Sequence, residues 1–134
     1  MGCATIVVLI LQLSCAIDYF FLIMERPLIE SCKYYFKVFS DKNIEELSKL
    51  FADDIVLSDW DNFSSGKSNV LLTNKKIFDS VKTINVKPKD IYQDGKVVIA
   101  ELDILINKKD RILVVDIIHF NEFGKICRIK AFKG

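Results

Sequence analysis

Glycine and proline are scarce in this chain, at 5 and 2 of 134 residues, and there is one histidine and one tryptophan. So little glycine and proline excludes a collagen-like repeat, a flexible linker and a low-complexity tail. No G-x-G-x-x-G or G-x-x-x-x-G-K run occurs, which leaves nucleotide binding by a glycine-rich loop without a motif. One histidine cannot complete a zinc site with Cys3, Cys15, Cys32 and Cys127, and no C-x-x-C pair is present. The sequence therefore implies no metal and no cofactor. Cys32 falls on a helix face and Cys127 in a strand pattern, as buried free thiols of a reducing, cytoplasmic compartment would. An excess of one charge is missing too. Lys and Arg number 19 against 18 Asp and Glu, a net of +1, a balance that gives no electrostatic footprint for a nucleic-acid duplex, whose binding proteins usually show a clustered basic face.

What the chain does have is apolar residues, 51% in all. They are concentrated at the front, where residues 1–24 hold 19 of them, while the rest of the chain is about 45% apolar, an ordinary figure for a globular domain. Three readings of residues 1–23 stand side by side. An export signal or membrane anchor fits the run Ala4 to Leu13, but the basic flank is missing and Gln12, Ser14 and Asp18 interrupt the span. Alternatively Met24 is the true start, since Met24-Glu25-Arg26-Pro27 leads directly into a helix. Or the segment is an extra element packed on the domain. Residues 24–134 form a single domain on any of these readings.

Pro27 suits a first helical position, and Leu28, Ile29, Cys32, Tyr35, Phe36 and Phe39 follow at helical spacing. Asn43 and Glu46 resemble a capping box, with Ile44, Leu47, Leu50 and Phe51 on one face. Asp53-Asp54 is expected to end that helix before a short strand to Trp60. Residues 61–67 read as a loop, and Ser68 to Val81 as a third amphipathic helix. From there the period changes to 2, giving four strand-like runs at 84–93, 96–107, 110–121 and 125–133. Asp94-Gly95 is a hairpin signal, and Pro88 marks the first of these strands as an edge. Helices followed by a meander of strands predict an α+β layer with a curved antiparallel sheet over the helices.

Acids interrupt the apolar strands at Glu101, Asp103 and Asp116. A two-residue turn at Lys108-Lys109 would pair Asn107 with Asp110 and place all three acids on one face with Leu105, Ile112, Ile118 and Phe120. The opposite face, from Val98 to Ile104 and Leu113 to His119, is apolar almost throughout, and a second copy of the chain is its simplest cover. Asp116, between Val115 and Ile117, is expected to face a cavity. His119 has no second histidine or nucleophile near it in sequence, so it reads as a surface or interface residue.

The segment YFKVFSDKNIEELSKLFADDIVLSDW (35–60), with DIIHF (116–120) and GKICRIKAFKG (124–134), resembles the ketosteroid-isomerase and SnoaL-like branch of the nuclear transport factor 2-like superfamily. The resemblance implies a cone in which three helices pack into a highly curved antiparallel sheet around a pocket. It places an oxyanion-hole tyrosine on Tyr35 and a general-base aspartate on Asp59. The protonated aspartic acid that completes the hole falls on Ile118, so the second donor is absent; losing one such donor generally costs about 10²–10³ in rate. Asp116 lies two residues earlier on the same face and becomes the second acid or base. Trp60, Phe36, Ile118, Phe120, Leu105, Ile129 and Ala131 are expected to line the pocket. The function implied is an isomerase, cyclase or hydratase working by carboxylate proton transfer on a small apolar, polyketide- or steroid-like molecule. The alternative is a non-catalytic ligand-binding or protein-association domain of the same fold. A membrane enters only if residues 1–23 are an anchor.

Overall fold

The computed structural model describes residues 27–134; the apolar leader and the three readings of it lie outside them. Helix α1 (Pro27–Ser40) starts on its proline and turns Cys32, Tyr35, Phe36 and Val38 into the core. It stops where Lys42 takes a left-handed conformation (φ 55°). The Lys42 ammonium then donates to the carbonyls of Phe78, Val81 and Lys82 at 2.8, 2.5 and 3.0 Å. One side chain thus gathers three carbonyls at and just beyond the C-terminal end of a different helix. Asn43 caps α2 (Ile44–Leu50), its side-chain oxygen accepting from the Glu46 N–H at 3.1 Å.

Helix α2 ends at Leu50, three residues before the expected stop, and β1 runs Phe51–Ser58. Phe51 and Ala52 are both buried while Asp53 and Asp54 are exposed. Pairing with the last strand shifts register between Phe51 and Val56, so a bulge carries the two aspartates outward. They belong to a strand and not to a helix end. The expected loop contains a short strand, β2 (Phe63–Ser65), and Gly66 at φ 87° turns the chain into α3 (Lys67–Ser80). The remaining strands are β3 (Ile84–Asp94), β4 (Val97–Ile106), β5 (Asp110–Phe120) and β6 (Ile126–Lys133).

The six strands form one sheet in the order β2-β1-β6-β5-β4-β3. Pro88 lies on an edge strand, beside a register shift between Pro88 and Ile91, as a residue without an N–H requires. The sheet is not wholly antiparallel, because β1 runs parallel to β6. That pairing joins strands far apart in sequence, so no local turn signals it. The three helices cover one face, α1 against β3 and α3 against β1 and β2. Ser40 ties α1 to the edge, its hydroxyl accepting from the Val86 N–H at 2.9 Å. Among the described residues no helix is long and apolar enough to cross a membrane.

The β4–β5 turn departs from expectation by one residue. Ile106 pairs with Asp110, leaving Asn107, Lys108 and Lys109 as the loop. Asn107 and Lys108 are left-handed, at φ 54° and 58°. The Asn107 side-chain oxygen accepts from the Lys82 and Thr83 N–H groups at 2.7 and 3.2 Å. Side chains alternate across a strand, so a one-residue change of pairing exchanges faces. Asp116 therefore sits opposite Ala100, while Asp103 pairs with Leu113 and Glu101 with Val115. Glu101, Asp103 and Leu105 lie on the outer face, away from the helices.

Candidate functional site

Between helices and sheet lies a cavity of about 190 Å³. Its walls are apolar: Tyr35, Phe36 and Phe39 from α1, Ile77 from α3, and Leu102, Ile104, Ile112 and Val114 from the sheet. The β1–β2 loop contributes Asp59, Trp60, Asp61 and Asn62. Trp60 and Asp61 are exposed, so this loop forms the rim. The volume is below the ~300–1,000 Å³ of pockets that enclose drug-sized ligands.

Tyr35, Asp59 and Asp116, the three expected site residues, all line this cavity, as do Phe36, Trp60, Ile129 and Ala131. Three expected lining residues do not. Leu105 is on the outer face for the register reason above. Ile118 and Phe120 share Asp116's face but lie farther along β5, where Ile118 pairs with Val98 and Ile129, and Phe120 with Ile126. Those positions are packed dry, with Ile118 at 0% exposure.

Asp116 is 7% exposed on a mid-strand wall. Burial first, and then the nearby Asp59 carboxylate, push its carboxyl up from the ordinary aspartate range to about 7. Burial disfavours the charged form, and a like charge adds to that. Tyr35 packs its ring against Phe36, Phe39 and Phe51, with centroids 5.4, 6.0 and 6.1 Å away. Its hydroxyl is held well above the usual phenol range by burial, then by Asp116 and Cys32. It is thus a neutral donor throughout the physiological range. Behind it, burial and Asp116 push the Cys32 thiol up to about 12, leaving that sulfur un-ionised and inert.

Asp59 is used differently. Its Oδ1 accepts from the Asp61 and Asn62 backbone N–H groups at 2.8 and 2.6 Å, and the Asn62 side-chain amide bridges both oxygens at 3.1 Å. The carboxylate therefore folds the rim loop around itself. Oδ1 is saturated, and Oδ2, with one donor, keeps free lone pairs.

Asn74 on α3 was not anticipated from the sequence. It lines the cavity at 3% exposure, and its amide nitrogen is buried without a hydrogen-bond partner among the described residues. The signal was present: Asn74 lies four residues from both Val70 and Phe78, at an apolar phase of the helix. His119 lies half-buried on the outer face, where burial, then Arg128 and Lys130, lower its pKa. Among the described residues no cluster of three His, Cys, Asp or Glu side chains could hold a metal ion.

The sequence profile of the SnoaL-like domain matches residues 33–129, most of the chain. The chain belongs to the SnoaL-like family. Solved structures of the same fold agree with that placement. A candidate SnoaL-like polyketide cyclase from Shewanella denitrificans OS-217 matches with a TM-score of 0.73 at 13% identity, over 81% of this chain and 91% of its own. A candidate ketosteroid isomerase from Kribbella flavida DSM 17836 gives 0.69 at 16%, over 78% and 76%. An LEH-like epoxide hydrolase from M. tuberculosis gives 0.70 at 14%, over 80% and 82%. At these identities the likeness is one of fold. A comparison with curated protein sequences finds no significant match.

Proposed function

We propose that this SnoaL-like protein is a proton-transfer enzyme acting on a compact apolar molecule, with Asp116 as the acid–base group. The observation that carries the reading is a carboxyl buried on the cavity wall at Asp116, where burial and the Asp59 charge push it up to about 7, near the optimum for general acid–base catalysis. In an isomerisation, the Asp116 carboxylate takes a proton from the carbon beside a carbonyl. The Tyr35 hydroxyl donates to the developing enolate oxygen, and Asp116 returns the proton farther along the chain of conjugation. Asp59 holds the rim and raises the proton affinity of Asp116 by its charge. Cyclisation and hydration use the same proton inventory. Relatives of this fold named for isomerase, cyclase and epoxide hydrolase activities support the class and leave the reaction open.

The test is isomerisation of the unconjugated cyclohexenone, whose double bond lies β,γ to the carbonyl, to its conjugated isomer. Turnover is expected to rise with pH about a midpoint near 7, and Asp116→Asn to lower it by about 10²–10⁴-fold. Asp59→Asn is expected to lower it less. One observation favours a second reading, binding without turnover: Asp59, the residue aligned with the family's general base, spends one oxygen on its own loop. Saturable binding of the ketone, with no exchange of its α-hydrogens into deuterated water, would establish that reading instead.

Assembly is a separate proposal. The outer face exposes Tyr92, Ile99, Leu113, Val115 and Phe132, and a second copy of the chain is proposed to cover it. Light scattering should give a dimer mass that Ile99→Glu with Val115→Glu reduces to a monomer; a monomeric parent chain refutes it. The free thiols of Cys32 and Cys127 fit the proposed reducing, cytoplasmic compartment.

A further inference from the structure

Asp116 stands in the middle of a strand at 7% exposure, and no described residue donates a hydrogen bond to it. Its oxygens are not sealed off. Among the buried side-chain atoms of the described residues, the Asn74 amide nitrogen is the one that is both enclosed and unbonded. The Asp116 carboxyl therefore keeps its lone pairs open to the cavity that it lines. A polar group buried without a partner carries a desolvation cost that nothing in the folded chain offsets. An acid–base role explains a carboxyl on this wall but supplies no donor for it in the resting protein.

The surroundings of Asp116 hold one sign of charge. Asp59 and Asp61 line the cavity with it, and no lysine, arginine or histidine does. The Asp59 charge is close enough to act on Asp116. From α1 the titratable groups that face it are Tyr35 and Cys32, both neutral. Helix α3 brings Asn74 and Ile77 to the cavity, neither of which titrates. The cross-strand neighbours of Asp116 are Ala100 and Ala131, and the sheet otherwise lines the cavity with apolar side chains. Four aromatic rings, those of Tyr35, Phe36, Phe39 and Trp60, complete the wall, and ring faces attract cations. The space is about 190 Å³; a cavity of about 150 Å³ holds benzene, so one six-membered ring fits.

We propose that this cavity is also a binding site for a compact organic cation, a protonated primary amine on a monocyclic apolar body, whose ammonium group donates to Asp116. Folding has already desolvated the carboxyl, so the pair carries one new desolvation cost and not two. An entering anion would meet three acids and no cation. The bound ammonium holds Asp116 ionised, so the ligand competes with a proton for that carboxyl. An alkylammonium ion has no carbon made acidic by a carbonyl. It therefore occupies the cavity without turnover and excludes the ketone, a role beyond the proton-transfer reading.

The experiment is calorimetric titration of the full chain with cyclohexylammonium, its neutral isostere cyclohexanol and cyclohexanecarboxylate, at pH 6 and pH 8. The amine keeps its proton across this range, as lysine does, so a pH dependence comes from the protein. Cyclohexylammonium is expected to bind at least about tenfold more tightly than cyclohexanol at pH 8, and the carboxylate more weakly than either. At pH 6 the ammonium should bind about tenfold more weakly than at pH 8, because Asp116, pushed up to about 7, must first lose its proton. Binding at pH 6 should release about one proton, read from the heats in buffers of different ionisation enthalpy. Asp116→Asn should remove the ammonium preference and the proton release while leaving cyclohexanol affinity unchanged. Asp103→Asn, which removes a carboxylate from the outer face, should change neither.

Equal binding of amine and alcohol at pH 8, an ammonium affinity that does not rise with pH, or tight carboxylate binding overturns the proposal. So does a preference that survives Asp116→Asn or is lost in Asp103→Asn. The pH-resolved titration uses the unaltered chain, so it decides the matter even if Asp116→Asn does not fold. None of these outcomes involves turnover of the unconjugated ketone, so cation binding and the Asp116 chemistry fail independently.

Discussion

Asp103 and Asp116 sit on neighbouring strands of one sheet and face opposite ways. Asp103, on the outer face, is bonded by the Arg111 guanidinium, and that contact holds its carboxyl below the usual range. Asp116, on the inner face, has no such partner among the described residues; burial and Asp59 hold its carboxyl far above that range. The two faces are almost equally apolar as sequence. They differ in what stands in front of them: helices and a cavity on one side, no other element of the described chain on the other. The same residue type is therefore a surface ion pair in one place and a titrating group in the other.

The comparison breaks most visibly when an acid is moved. Leu102→Asp puts a second carboxyl on the inner face, where nothing pairs with it, and is expected to cost more than about 4 kcal/mol. Val115→Asp, one strand over and facing out, is expected to cost about 1 kcal/mol or less in denaturant titrations. Next comes the pH dependence. The folded state keeps a proton on Asp116 up to about 7, whereas the unfolded chain releases it near 3.8. Folding stability therefore falls as pH rises from about 4 to 7, by up to about 4 kcal/mol from this residue. Asp116→Asn should flatten that slope and be more stable than the parent at pH 8, as read by urea unfolding. Asp103 has the opposite sign: its contribution is present above its unfolded pKa and is lost as pH falls below that value. The smallest expected effect is that of Arg111→Gln, a slight loss of stability confined to low salt.

Much of the architecture was legible because its signals are local. Pro27, the Asn43–Glu46 pair and the Asp94-Gly95 turn each depend on a few adjacent residues, and each stands where the chain predicts. Pro88 identified an edge strand for the same reason. The inner-face register was not legible. It depends on Asn107 and Lys108 adopting left-handed backbone, and the carbonyl oxygen that fixes Asn107 is engaged by residues 82 and 83, more than twenty positions away. The parallel β1–β6 pairing and the dry packing of Ile118 and Phe120 are likewise properties of the assembled fold. At the site, Tyr35, Asp59 and Asp116 could be located by resemblance to the family. The loop bonds that occupy Asp59 could not, and Asn74 was hidden because one polar residue in an apolar stripe reads as noise.

The three-residue turn at 107–109 acts as a parity counter for everything downstream. Deleting one residue there, without altering any side chain in the cavity, would send Asp116 to solvent and bring Val115 and Ile117 inward. Repair would require a compensating bulge in β5. Variation in the length of this turn is thus more disruptive than most substitutions on the cavity wall, and relatives that retain an acid at this wall should retain the turn's length as well.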